Sequence, residues 1–144
     1  MKSEIKTQWQ AELRSGKYAQ GKRALASQHT STDEDGNTVT RNTYCCLGVL
    51  CELAKAEGVV ESSDPNYTND IPYGPAPTDE NPYPQQSTSY LPQVVIDWAG
   101  LVSVDGDPLL TIGEDFKRAS EHNDNERTFA EIADALDQLS DEDN

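Results

Sequence analysis

Basic side chains are scarce in this chain of 144 residues: 11 Lys and Arg stand against 26 Asp and Glu, for a formal charge of -15. That balance argues against general binding to nucleic acid or to an anionic membrane. It is also the charge that a mimic of DNA phosphates would carry. Long apolar runs are missing as well. No window approaches the roughly 18 apolar residues of a membrane-spanning helix, and Met1-Lys2-Ser3-Glu4-Ile5-Lys6 holds no apolar signal region. Cysteine is limited to Cys45, Cys46 and Cys51, an odd set that suits reduced thiols better than a disulfide framework. Together these absences lead to the expectation of a cytoplasmic protein. Hydrophobic residues make up only 35%, so the core must be compact. One domain is expected over residues 1–139, with a frayed acidic tail at 140–144.

What is present is unevenly placed. Residues 1–55 carry a small positive excess, and residues 56–144 hold only Lys117, Arg118 and Arg127 against most of the carboxylates. A basic patch on an acidic body is one reading, and ordinary surface charge is the other. The densest apolar run is Tyr44–Ala54, which contains all three cysteines. It predicts a buried helix from about Cys46 to Glu57, with Leu47, Leu50, Cys51 and Ala54 on one face and Gly58 ending it. Gly48 inside that helix costs roughly 1 kcal/mol relative to Ala. It is therefore expected to admit a close neighbour such as Trp9 or Trp98.

The remaining chain predicts an α+β domain, mainly helical, with four to five short helices, one or two short β-hairpins and a long Pro/Tyr-rich loop. Ile5, Trp9 and Leu13 give residues 3–15 one apolar stripe, with Ser3 as a half capping box and Gly16 as the stop. Asp35-Gly36 predicts a hairpin turn over 27–44, although Ser27–Thr32 is polar enough for a solvated loop. Six of the eight prolines fall in residues 59–90. That stretch reads as an irregular loop pinned at Tyr67, Tyr73, Tyr83 and Tyr90. Pro92 opens a helix with Val94, Val95, Trp98 and Leu101 as its apolar side, ended by Gly100. Val102-Ser103-Val104 and Leu109, Leu110 and Ile112 around Asp105-Gly106 predict a second hairpin, and Asp115–Glu121 a short helix. Thr128 and Glu131 form a capping box for a helix striped by Phe129, Ile132, Leu136 and Leu139.

Chemistry-bearing residues cluster in Arg14-Ser15-Gly16-Lys17-Tyr18-Ala19-Gln20-Gly21-Lys22-Arg23. Arg14, Tyr18, Gln20, Lys22 and Arg23 offer charged forks, a stacking face and an amide between two glycines, a kit for a small phosphorylated ligand. The spacing is not that of a P-loop. The competing reading is a helix–loop joint in which Tyr18 packs and Gln20 caps backbone groups. Asn123 and Asp124 cap helix ends by ordinary chemistry, or Asn123 reads a base or sugar edge beside the basic loop. A zinc site would need Cys45, Cys46, Cys51 and His29 or His122, but this is not a CxxC knuckle. A Cys45–His nucleophile would need an exposed thiol of low pKa, and both histidines read as solvated loop residues. The acidic pairs Asp105/Asp107 and Glu114/Asp115 are uninformative in so acidic a chain. Asp33-Glu34-Asp35-Gly36-Asn37 does not continue into a calcium loop.

Taken together, Trp9…Leu13-Arg14-Ser15-Gly16-Lys17-Tyr18-Ala19-Gln20-Gly21, Tyr44–Leu53, Leu91-Pro92…Trp98-Ala99-Gly100-Leu101 and Asn123-Asp124…Thr128–Asp134 resemble a group of small, largely uncharacterised proteins of tailed bacteriophages, many infecting actinobacteria. Cys-Cys-Leu-Gly-Val-Leu-Cys is the most distinctive element. The long Pro/Tyr insert and the extra acidity depart from the group. The resemblance implies a phage accessory protein acting in the host cytoplasm and carries no reaction with it. The expected function is a non-enzymatic binder that counteracts host defence, in its sharper form by sequestering an anionic nucleotide signal. An acidic decoy of a host nucleic-acid-binding protein is the alternative, and a small hydrolase the third. The expected partner is thus a small anionic nucleotide-like ligand or a host protein. Direct contact with nucleic acid or membrane is not expected, a homo-oligomer stays open, and no cofactor or metal is assigned.

Overall fold

The computed structural model describes residues 1–102 and 105–140. Ser103, Val104 and most of the tail expected at 140–144 lie outside the described residues. The first helix, α1, spans Ser3–Arg14 and buries Ile5, Trp9 and Leu13 as the spacing predicts. Lys2, not Ser3, occupies its N-cap position, without a side-chain cap. A two-residue strand, β1 (Ala19–Gln20), follows. Strands β2 (Ala26–Thr32) and β3 (Thr38–Tyr44) pair antiparallel from Ala26↔Tyr44 to Thr32↔Thr38, and β1 adds in parallel on the far side of β3. Asp33 holds the connecting turn by accepting from the backbone N–H groups of Asp35 and Asn37. The polar arm Ser27–Thr32 is therefore a strand. It is held by its ladder rather than by burial, because residues 29–41 are exposed throughout.

Helix α2 (Cys46–Ala56) is the core. Every residue from Cys46 to Cys51 is buried, together with Ala54. Trp9 crosses it, with its indole N–H donating to the Cys46 carbonyl at 3.0 Å. Phe129 is also buried against this core, whereas Trp98 is only half-buried. The neighbour that Gly48 admits is neither tryptophan. A Cβ placed on Gly48 would lie 1.7 Å from the carbonyl oxygen of Leu25. The same oxygen accepts from the backbone N–H of Cys45 at 3.2 Å. A backbone carbonyl, unlike an indole, is identical in every residue, so nothing in the local pattern marks it as the partner.

Residues 59–90 form the expected irregular excursion, interrupted by the short pair β4 (Glu61–Ser62) and β5 (Tyr73–Gly74) and by a bridge between Tyr73 and Ser87. Four tyrosine pins are expected and one is found. Tyr73 is 1% exposed, whereas Tyr67, Tyr83 and Tyr90 are 98%, 90% and 53% exposed. The difference is a partner: the Tyr73 hydroxyl donates to Glu52 at 2.7 Å, so the ring can be buried with its polar tip satisfied. Helix α3 (Gln93–Ala99) buries Val95, Ile96 and Ala99 and ends at the left-handed Gly100. Val94, Trp98 and Leu101 are only half-buried, so the apolar side is rotated from the expected one.

The expected arm Val102–Val104 falls mostly on Ser103 and Val104, outside the described residues. The hairpin that is described has strands β6 (Leu109–Ile112) and β7 (Asp115–Arg118) and turns at Gly113-Glu114. Asp115–Arg118 is thus strand and not helix. Pairing with a strand whose Leu110 is fully buried outweighs the weak local helix preference. Helix α4 (Ala119–Asp124) follows, then α5 (Phe129–Ala135) with the Thr128–Glu131 capping box, then a 3₁₀ turn at Leu136–Gln138. The domain is α+β. It is about one third helical and 22% strand, so it is not mainly helical. Helix α2 touches α1, α3, α4 and β3, and α5 closes over α1.

Gly48→Ala tests the contact with Leu25, because two effects oppose each other there. Helix propensity favours Ala by about 1 kcal/mol, whereas overpacking costs about 1–3 kcal/mol or more. The clash is with backbone, which cannot rotate away. The expected result is a net loss of about 2 kcal/mol in denaturant unfolding. A stabilised variant would show that the contact is absent.

Candidate functional site

Leu25 anchors the end of the basic loop, and the loop reaches from there to the corner between α4 and α5. Gln20 does most of the joining. Its amide nitrogen donates to Asn123 Oδ1 at 2.9 Å and to the Arg127 carbonyl at 2.8 Å, and its oxygen accepts from the Phe129 N–H at 3.1 Å. Asn123 is 1% exposed. Its oxygen also accepts from the Cys46 N–H at 3.2 Å, and its nitrogen donates to the Gly21 carbonyl at 2.7 Å. Gly21 itself lies so close to Thr43 that a Cβ would meet its hydroxyl at 2.6 Å. This knot ties the loop, the start of α2 and the start of α5 together. Every amide nitrogen and oxygen of the two side chains has a partner inside the protein. Gln20 caps backbone groups, and Asn123 is held buried beside the basic loop.

The other expected residues divide. Arg14 forms an ion pair with Asp134 at 2.6 Å across α1 and α5, outside the loop's face. Tyr18 packs edge-on against Tyr44, ring centroids 5.1 Å apart, with the Lys17 ammonium 5.3 Å from its centroid. Its ring is therefore not an open stacking platform. Asp124 accepts from the Arg23 N–H at 2.8 Å and so shapes the loop rather than facing a ligand. The structure thus brings Gln20, Lys22, Arg23, Asn123 and Asp124 together, with Lys22 and Arg23 as the exposed cations of the group.

Those two cations line adjoining hollows. One, of about 290 Å³, is lined by Lys22, Arg23, Ala24, Asp70, Thr88 and Ser89. The other, of about 270 Å³, is lined by Gln20, Gly21, Lys22, Asn123 and Glu126. Lys22 pairs with the exposed Glu126 at 3.1 Å. The Arg23 guanidinium has no hydrogen-bond or ion-pair partner among the described residues. Arg23 sits at φ +72°, and the other left-handed non-glycine residues are Asn69 at +66° and Glu126 at +69°. Each borders these hollows or adjoins a residue that does. Such backbone costs about 1–3 kcal/mol per residue and collects where the surroundings over-determine it, characteristically at ligand clamps. Asp70 also faces the first hollow, its oxygens already accepting from Ser27 and Thr68. Chemically the groove sets Lys22, Arg23, Thr88 and Ser89 beside the Asp70 carboxylate, and with Lys22 engaged by Glu126, Arg23 is the cation left to meet a small oxyanion.

Thr88, Ser89, Asp70 and Glu126 are members that the sequence does not indicate. The run Ser87-Thr88-Ser89-Tyr90 is a visible signal of hydroxyl density at the end of the Pro-rich loop. Glu126 has no such signal. The Leu25 N–H donates to the Thr88 carbonyl at 2.7 Å, which joins the two segments.

The thiols are elsewhere and are unsuited to nucleophilic work. Burial pushes Cys45 up to about 11 and holds Cys46 and Cys51 well above the ordinary thiol range. Cys45 is 3% exposed, so its expected place as the accessible cysteine is corrected. His122 is buried on α4, with Nε2 2.7 Å from the Leu110 carbonyl, so that nitrogen carries a proton and donates. It is not a solvated loop residue. His29, on β2, contacts Thr43 at 2.9 Å. Among the described residues no group of three or more His, Cys, Asp or Glu side chains could hold a metal ion.

A family described as a domain of unknown function (DUF8296) matches residues 1–140. The chain belongs to this family. No curated protein and no solved structure matches it. Among the described residues, no helix of this DUF8296 member is long and apolar enough to cross a membrane.

Two measurements check this arrangement. Asn123→Ala removes three hydrogen bonds and strands buried partners, so unfolding should show a loss of about 2 kcal/mol or more; a neutral effect would dissolve the knot. Thiol reagents at pH 8 should label the native protein slowly and all three cysteines promptly after denaturation. The thiol pKa values are raised by folding. The stability they allow is therefore complete below the unfolded value of about 8.5 and falls as pH climbs from there towards 11. Rapid native labelling would contradict it.

Proposed function

We propose that the Lys22–Arg23 groove binds a small phosphorylated, nucleotide-like ligand, and that the protein is a phage accessory protein that sequesters such a signal against host defence. One observation carries the reading. A guanidinium without a partner among the described residues is held on strained backbone beside Thr88, Ser89 and the Glu126-paired Lys22, over a hollow that Asp70 also lines. Holding it there costs stability, and a bound anion gives that cost a purpose. The surroundings are already rigid. The Asn123 knot fixes the loop from one side and the Leu25–Thr88 hydrogen bond from the other, so little ordering remains for a ligand to impose. The buried, high-pKa thiols weigh against a hydrolase built on Cys45.

A second reading, the acidic decoy of a host nucleic-acid-binding protein, draws on the β2–β3 hairpin. Its exposed tip carries Asp33, Glu34 and Asp35 on a turn held by its own hydrogen bonds. Charge of this kind could enter a basic cleft.

Arg23→Gly separates binding from folding. Glycine adopts φ near +70° without the side-chain penalty of about 1–2 kcal/mol, so the variant should melt at or above the wild-type temperature. Calorimetry of the wild-type protein against cyclic mononucleotides and ADP-ribose should give heat, and the variant should bind about tenfold more weakly, as for one charge-assisted hydrogen bond of roughly 1.5–3 kcal/mol. Unchanged affinity in the variant would overturn the groove. No heat from folded wild-type protein with any of these ligands would favour the decoy.

A further inference from the structure

A larger hollow, with no Lys or Arg in its lining and Asp105 as its one acid, shares the Ser87–Tyr90 segment with the groove. It has a volume of about 480 Å³ and is bordered by Gln85, Gln86, Tyr90, Pro92, Gln93 and Ile96, among others. We propose that it takes the base of the nucleotide whose phosphate the Lys22–Arg23 groove holds; the inference rests on that reading of the groove and extends it to a second subsite. The ligand class is then a nucleoside phosphate rather than a simple phosphorylated metabolite.

Three observations support it. The first is contiguity. The segment Ser87–Tyr90 walls both hollows: Thr88 and Ser89 face the groove, and Ser87 and Tyr90 the larger one. The two hollows therefore lie against the same four residues of chain. The second is rigidity. Ser87 is 6% exposed, exchanges both backbone hydrogen bonds with Tyr73, and accepts from the N–H groups of Ser89 and Tyr90 on its hydroxyl. The wall between the subsites is thereby fixed. The third is chemistry. Tyr90 is 53% exposed and lines the hollow, its hydroxyl 3.4 Å from the Gln85 amide nitrogen. The amide nitrogens of Gln86 and Gln93 bond to Ser63 and Asp97, which leaves their oxygens to accept from a ring edge. An aromatic face edged by amides suits a flat, uncharged, hydrogen-bonding ring. The volume falls within the range of about 300–1,000 Å³ usual for small-ligand sites.

The test titrates wild-type, Tyr90→Ala, Tyr90→Phe and Arg23→Gly proteins with the four ribonucleoside monophosphates, the four nucleosides and ribose 5-phosphate, with melting curves as the control for folding. At least one monophosphate should bind the wild type about tenfold more tightly than ribose 5-phosphate, an increment expected of base stacking. Tyr90→Ala should remove that advantage without weakening ribose 5-phosphate, and Tyr90→Phe should keep it. Arg23→Gly should weaken monophosphates and ribose 5-phosphate alike and leave nucleosides unchanged. Equal affinity for monophosphates and ribose 5-phosphate, or indifference to Tyr90→Ala, overturns the base subsite and leaves the groove standing. Nucleosides binding as tightly as their monophosphates, with Arg23→Gly silent, overturns the groove and leaves an isolated base pocket. No heat with any probe overturns both.

Discussion

The contact between Gly48 and the Leu25 carbonyl sets the distance between the buried helix and the loop that carries the exposed cations. Only an absent side chain permits that distance. With it, the Leu25 oxygen accepts from Cys45 just before α2, and the Leu25 N–H reaches Thr88. One residue therefore faces the core helix with its carbonyl and the far end of the Pro-rich excursion with its amide. The short spacing to α2 is converted into the position of the groove.

The polar knot around Asn123 completes the frame from the opposite side. It is a buried network in which every amide atom of Gln20 and Asn123 has a partner, so it rigidifies without leaving unsatisfied groups. Its members look like ligand-binding residues by type. Their employment in capping α5 and the start of α2 explains why the cations next to them can be held in unfavourable backbone. Strain in Arg23 persists because Asp124 holds its N–H while Gly21 is held by Asn123 and Tyr44. The acidic body has a role here too. Glu126 and Asp134 engage Lys22 and Arg14 and leave Arg23 as a cation of the groove without an ion-pair partner among the described residues.

What could be read in advance follows from how local each cause is. Helices α1, α2 and α5 are marked by apolar periodicity and by terminal residues within a few positions, and they form where these signs fall. The pairing of Leu109–Ile112 with Asp115–Arg118 is not marked locally, because it depends on where Leu110 finds the core. The tyrosines of residues 59–90 look equivalent in sequence. Only Tyr73 lies opposite Glu52, and that is settled by the fold. The same division runs through the candidate site. Lys22 and Arg23 were legible as cations beside a glycine. Thr88 and Ser89 were not, because they join the groove through a single backbone hydrogen bond to a residue far back along the chain. Gln20 and Asn123 were legible as important, but the two readings of each, cap and ligand contact, use the same atoms and differ only in what lies opposite.

The β2–β3 hairpin places a ribbon with little buried surface next to the tightly held Leu25. Beyond Gln28 its strands share a ladder but bury almost nothing, and a two-stranded ribbon without a buried face is marginal by itself. Local opening there disturbs few core contacts, so its amides should exchange faster than those of the buried Leu25 and Cys45. The gradient runs along one strand within a few residues. The ribbon can fray, bend or pair with another strand edge while the groove at its root keeps its geometry.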